Sequence, residues 1–206
     1  MLRAALTGGI ATGKSYVRRG LQARGVATVD ADTLVHQALA PGTATTSAVA
    51  ERFGGAFLGP DGSVDRRRLG DLVFADQGSR HDLERILHPT VYGAIDMWFE
   101  AEAAAGRHLG VADVPLLYET GHADRFDVVI VVACPPDDQV RRIVARDGIS
   151  AEAARQRVNA QWPIEEKVRK ADYVVWTTGS VEDTDRQIDD LCRTLTLRTE
   201  RLDGTR

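Results

Sequence analysis

The sequence predicts an α/β fold: a parallel five-stranded sheet with helices on both faces and two helical insertions off the core. Three observations carry this. Five short apolar runs recur along the 206 residues. Helically patterned stretches separate them. The runs are continuously apolar rather than alternating, as strands covered on both faces must be.

The first strand, Leu2–Thr7, leads into Gly8-Gly9-Ile10-Ala11-Thr12-Gly13-Lys14-Ser15 and a helix that runs to Arg24 and stops at Gly25. Val26–Val29 is the second strand, closed by Asp30-Ala31-Asp32. A helix from Thr33 to about Leu39 ends before Pro41-Gly42. From Thr43 to Gly106 the pattern is helical, broken at Gly54-Gly55, at Gly59-Pro60-Asp61-Gly62 and near Gly78. Leu109–Val114 is the third strand, ending on Pro115. Asp127–Ala133, with five consecutive β-branched residues from Val128 to Val132, is the fourth. Pro135-Pro136 opens a helix to about Arg146, and more helix follows to Lys170. Tyr173–Trp176 is the fifth strand, Val181–Leu197 a closing helix, and the last nine residues are polar and expected to fray. The chain therefore reads as one domain, with a core of residues 1–42, 107–136 and 172–197. The insertions off it span about 43–106 and about 137–171.

Composition narrows the function classes. A formal net charge of −4 offers no basic footprint for nucleic acid. No apolar run approaches the roughly 18–20 residues of a membrane span, and the N-terminal run is too short for a secretory signal. Cys134 and Cys192 show no metal-ligand or redox spacing, so both read as packing residues in a reducing cytoplasm. Of the 26 basic residues only Lys14, Lys167 and Lys170 are lysines, which makes each lysine worth inspecting. No obligate protein partner is evident.

Gly8-x-x-x-x-Gly13-Lys14-Ser15 has the P-loop pattern in the context the pattern requires, after a strand and before a helix. Backbone N–H groups in such a loop wrap a phosphate at the positive end of the helix. Lys14 then reaches the β- and γ-phosphates, and Ser15 offers its hydroxyl to Mg²⁺. Asp32 falls at the sheet edge where open α/β sheets bind ligands. There it can accept a proton from an attacking hydroxyl or hold Mg²⁺ through water, or it can simply cap the next helix. Asp113 closes the third strand in the place of a metal-associated carboxylate, or as a turn residue. Arg141, Arg142, Arg146, Arg155 and Arg157 crowd the second insertion, as a solvated face or as clamps on a transferring phosphoryl group. His88-Pro89 reads equally as a turn with a buried imidazole or as part of a site; His36, His81, His108 and His122 show no metal spacing. A GTPase is disfavoured: Arg169-Lys170-Ala171-Asp172 lacks the guanine-reading Asn and precedes a strand. What remains is a small-molecule kinase whose helical insertions clasp an acceptor and close over ATP, or a nucleotide-binding regulator.

At these residues the sequence resembles the dephospho-coenzyme A kinase family over nearly its whole length. The matching segments are Leu6–Ile10 with Gly13-Lys14-Ser15, Asp30-Ala31-Asp32, Pro41-Gly42, Arg67-Arg68-Leu69 with Val73-Phe74, and Leu87-His88-Pro89. Further on come Val114–Glu119, Arg142 with Arg146-Asp147, Arg157 with Gln161, and Glu166-Lys167 with Ala171–Val174. The resemblance implies transfer of the ATP γ-phosphate to the ribose 3′-hydroxyl of dephospho-coenzyme A, with Mg²⁺ as cofactor. Carried onto this chain, it implies Asp32 as the base, with Lys14 and Arg142 as its catalytic partners. ATP would be held by Gly9, Ile10, Ala11, Thr12, Gly13, Lys14, Ser15, Tyr16, Arg142, Arg146 and Gly179. The acceptor would meet Asp32, His88, Pro115, Leu116, Leu117, Glu119 and Arg157. The metal would be on Ser15, with Asp32 or Asp113 as a further ligand. The insertion at 43–106 becomes the acceptor side and 137–171 the lid. Three positions depart from the family pattern. Ala11-Thr12 replaces Gly-Ser, His36 replaces an Arg, and Thr177 replaces an Asn. If position 11 needs a positive φ, the alanine there is strained.

Overall fold

A computed structural model describes residues 1–203. Five strands, β1 (Leu2–Gly8), β2 (Ala27–Asp30), β3 (Leu109–Asp113), β4 (Val128–Ala133) and β5 (Tyr173–Trp176), form one sheet in the order β2-β3-β1-β4-β5. The register is parallel, with Ala4 opposite Val111, Leu6 opposite Ile130 and Val131 opposite Val174. Every residue of β4 is buried, because this strand lies inside the sheet with both faces covered.

The chain divides into two compact units, one of Met1–Val29 with Phe99 onward and one of Asp30–Trp98. In the first, α1 (Lys14–Ala23) presents Val17 and Leu21, four residues apart and therefore on one face. α9 (Val181–Asp203) presents Ile188, Leu191 and Leu195, and both stripes join Leu2, Leu6, Val111, Ile130 and Val175 in one core. Cys192 packs against the same cluster as an apolar side chain. α9 outruns the expected end at Leu197 because its inward stripe continues to Thr199. That threonine is buried, and its hydroxyl returns to the Thr196 carbonyl at 2.7 Å. Of the nine residues expected to fray, those through Asp203 are helical, and the last three lie outside the described residues. The second insertion resolves into α6 (Pro136–Asp147), α7 (Ala151–Asn159) and α8 (Ile164–Lys170), with Val140, Ile143 and Ala154 packed together.

The second unit holds α2 (Ala31–Ala38), α3 (Ala44–Phe53), α4 (Arg66–Ala75) and most of α5 (Gln77–Ala104) around Leu39, Val49, Val64 and Leu69. Two expectations change here. The break near Gly78 falls at Asp76, whose carboxylate accepts from the Ser79 amide at 2.6 Å and caps α5, leaving Gly78 within the first turn. His88-Pro89 is no turn: both residues lie inside α5. Proline in a helix interior forfeits one backbone hydrogen bond, at about 3 kcal/mol. The apolar positions Leu83, Leu87, Val91 and Ile95 recur every four residues across it, so packing on both sides holds the helix together.

Candidate active site

The glycine-rich segment emerges from β1 and ends at Gly13, which stands at the N-terminus of α1 with φ +89°. That backbone conformation favours glycine. Gly8 is needed for a different reason: a Cβ there would lie 2.5 Å from the Val132 carbonyl oxygen, which is backbone and cannot give way. Ala11 adopts φ +59°, so the strain foreseen for alanine at this position is present.

A set of side chains grips the carbonyls of this loop. Lys167 Nζ donates to the Gly8 carbonyl at 3.3 Å, and Gln139 Nε2 donates to that of Ile10 at 2.7 Å. Arg142 Nη1 donates to the Ala11 carbonyl at 3.2 Å and to Thr177 Oγ1 at 3.0 Å. Thr177 Oγ1 in turn donates to the Thr12 carbonyl at 2.6 Å. The Gly9 carbonyl accepts from the Thr12 hydroxyl at 2.9 Å. A trans peptide points its N–H opposite to its C=O. Holding the carbonyls of Gly8, Ile10 and Thr12 outward therefore turns the N–H groups of Gly9, Ala11 and Gly13 the other way. The open N–H groups and the dipole of α1 add to them, so the loop is built to hold an anion. Two of the three departures find their place here. Thr12 keeps the hydroxyl a serine would supply, and Thr177 anchors the loop directly.

At the start of α1, Lys14 forms an ion pair with Asp113, and Arg18 Nε lies 3.5 Å from the other carboxylate oxygen. Asp113 is buried within β3. Ser15 beside them is exposed. One hydroxyl and one or two carboxylates suit Mg²⁺ that arrives on phosphate oxygens and keeps several waters. Among the described residues there is no cluster of three or more metal-ligating side chains, as a self-contained metal cage would need.

Beyond β3, Thr7 Oγ1 donates to the Pro115 carbonyl at 3.1 Å. Leu116 is exposed, whereas Leu117 is buried and can offer a ligand only its backbone. Glu119 Oε1 accepts from Lys167 at 2.6 Å and from the Trp162 amide at 3.1 Å; its Oε2 is buried without a partner. Tyr118 stacks on Trp162 with ring centroids 6.2 Å apart, and its buried hydroxyl also has no partner. Burial pushes the Tyr118 phenol up to about 12, so it stays a hydrogen-bond donor at any physiological pH.

The other expected residues divide sharply. Arg146 and Arg157 both pair with Asp147 at 2.6 Å, and these pairs hold its carboxyl below the usual range. Arg141 pairs with Asp138, and Arg155 is exposed. Tyr16 donates its hydroxyl to Asp185 at 2.8 Å, which raises its pKa. Gly179 lies in the exposed turn before α9. In the second unit, the cap of α2 is Asp30 rather than Asp32. The Asp30 carboxylate accepts from the Asp32 amide at 3.0 Å, and Asp32 is exposed in the first turn of the helix. His36 is exposed on α2. His88 is half-buried in α5 edge-on to Tyr92, with ring centroids 5.9 Å apart. Sequence reasoning missed Arg18, Gln139 and the role of Lys167. Gln139 carries no motif, and Lys167 is marked by being a lysine in an arginine-rich chain and by the matching Glu166-Lys167 segment, neither of which says what it holds.

The model of the family described as dephospho-CoA kinase matches residues 2–183. A dephospho-CoA kinase of Thermosynechococcus vestitus is 44% identical over 190 residues, 92% of each chain. One from Anaeromyxobacter dehalogenans is 46% identical over 177 residues, 86% of this chain and 84% of the other. The solved dephospho-CoA kinase of Campylobacter jejuni superposes with a TM-score of 0.70 at 26% identity, covering 94% of this chain and 96% of that one.

Two outcomes follow from this geometry. Ala11→Gly should raise the unfolding free energy read from denaturation curves by on the order of 1 kcal/mol, since relief of a positive-φ alanine outweighs the extra freedom of unfolded glycine. A loss of stability would contradict the strain. Burial lowers the His88 pKa below its ordinary 6.5, with Glu84 opposing and His81 adding. The unfolded chain therefore takes up that proton first. The stability concerned is whole above 6.5 and is lost as pH falls through the lowered folded value. Denaturation curves from pH 7.5 down to about 5 should show the native chain losing more stability than His88→Gln does.

Proposed function

Because this chain belongs to the dephospho-CoA kinase family, it is a kinase that uses ATP to phosphorylate dephospho-coenzyme A, and we propose the following division of labour among its residues. The observation that carries the proposal is the loop of residues 8–15, in which the carbonyls of Gly8, Ile10 and Thr12 are held by side chains and the N–H groups of Gly9, Ala11 and Gly13 are turned the opposite way.

The ATP phosphates lie against the amides of Gly9, Ala11, Gly13, Lys14 and Ser15, at the N-terminus of α1, while those of Ile10 and Thr12 keep their bonds within the protein. Lys14 leaves Asp113 to meet the β- and γ-phosphates as a point charge. Ser15 would hold Mg²⁺ by its hydroxyl, with Asp113 or Asp32 as a further ligand through water. The metal supplies charge neutralisation on the phosphate oxygens when it is bound. Arg142 spends three of its five N–H donors on Ala11 and Thr177, leaving others for developing charge on the phosphoryl group. Tyr16, Arg146 and Gly179 complete the nucleotide side, and Arg146 would have to exchange Asp147 for a phosphate as residues 137–171 close over it.

On the acceptor side, Asp32 takes the proton of the 3′-hydroxyl as that oxygen attacks. Its exposure, and the use of Asp30 rather than Asp32 as the helix cap, support this role. His88, Pro115, Leu116, the Leu117 backbone, Glu119 and Arg157 contact the acceptor. The unpartnered Glu119 Oε2 suits a donor group of that substrate. Among the described residues no helix is long and apolar enough to cross a membrane, and we place the reaction in the cytoplasm with no obligate protein partner.

The test is a Mg²⁺·ATP reaction with dephospho-coenzyme A, detecting by mass a product heavier by one phosphoryl group. Asp32→Asn should bind ATP normally but turn over about 10²–10⁴-fold more slowly, the usual worth of a positioned base. Full activity in that variant would remove Asp32 from the role. ATP binding without product in the native enzyme would overturn the acceptor.

A further inference from the structure

Among the described residues Lys167 is the largest wholly buried side chain, and no step of the phosphoryl transfer above uses it. An ammonium with no access to water is costly unless its donors are satisfied by paired, hydrogen-bonding partners. Here the partners are two. Glu119 Oε1 lies 2.6 Å away and balances the charge. The Gly8 carbonyl, at 3.3 Å, is the first anchored carbonyl of the phosphate loop. Glu119 Oε1 also receives the Trp162 amide, so one carboxylate joins β3's following turn, the segment between α7 and α8, and the loop. The choice of lysine is informative in a chain that otherwise uses arginine. Guanidinium would bring five fixed donors to a site that offers two acceptors, whereas a compact point charge fits.

We propose that Lys167 is a positioning residue for phosphoryl transfer: held by Glu119, its buried ammonium fixes the Gly8–Gly9 peptide so that the Gly9 N–H faces bound nucleotide. Gly8 O and Gly9 N–H belong to one planar unit, so drawing the carbonyl toward α8 aims the amide away from it. Without the ammonium, this peptide is free to rotate, and the first donor of the loop is no longer preorganised. The proposal rests on the reading that the loop binds ATP.

The test measures Mg²⁺·ATP affinity by titration calorimetry with no acceptor present, so that any contact of Glu119 with acceptor does not enter. Three variants are compared with the native enzyme. Lys167→Met removes the ammonium and strands Glu119. Lys167→Met with Glu119→Gln removes the ammonium without leaving a buried charge, which keeps the test open if the single variant does not fold. Leu195→Ala, a core truncation remote in sequence from the loop, controls for lost stability. Both lysine variants should bind ATP about tenfold more weakly, the fold-change of one lost charge-assisted hydrogen bond, while Leu195→Ala binds as the native enzyme does. Native affinity in the double variant would overturn the proposal and leave the ATP reading standing. Failure of the native enzyme to bind Mg²⁺·ATP would overturn both. Weakening in Leu195→Ala equal to that in the double variant would reduce Lys167 to a structural role.

Discussion

The structure depends on the orientation of a few peptide planes between β1 and α1. Amides that receive an anion must all face inward, yet a chain left to itself alternates and rotates. Five side chains remove that freedom: Thr12 from within the loop, and Lys167, Gln139, Arg142 and Thr177 from the helices and strand end around it. None needs to touch a ligand to matter. Preorganised donors cost nothing to reorient when charge arrives, which is why they outperform water. The positive φ of Ala11 is tolerated in this setting because the Ala11 carbonyl is held by Arg142 on one side and the Ile10 carbonyl by Gln139 on the other.

Charge around the loop is paired. Lys14 sits on Asp113, which Arg18 also approaches, and Lys167 sits on Glu119. The two pairs differ in consequence. Lys14 is partly exposed at the mouth of the loop and free to trade its partner for a phosphate, while Lys167 is sealed in and keeps its partner. One lysine is suited to binding and the other to bracing.

Much of this was legible in the sequence. Strand runs, the loop with its lysine and serine, and Asp30-Ala31-Asp32 at the end of β2 stand out because each depends on local chemistry within a few residues. The helix end at Asp203 was missed because burial of Thr199, a polar residue, is set by the stripe it continues rather than by its type. The turn that His88-Pro89 offers as one of two readings rests on proline as a local signal, and apolar positions on either side override it. Capping stands as the alternative to a functional Asp32, and the geometry gives that job to Asp30. The bracing contacts themselves were illegible: Gln139, Thr177 and Lys167 lie more than a hundred residues from the carbonyls they hold.

The most direct test follows the backbone amides of the loop by nuclear magnetic resonance as Mg²⁺·ADP is added. The account predicts that the Gly9, Ala11 and Gly13 amide protons move furthest. Ile10 and Thr12, whose amides already donate to Gln161 Oε1 at 2.7 Å and to the Gly9 carbonyl at 3.3 Å, should move least. Movement led by Ile10 and Thr12, or no movement in the loop at saturating nucleotide, would contradict it.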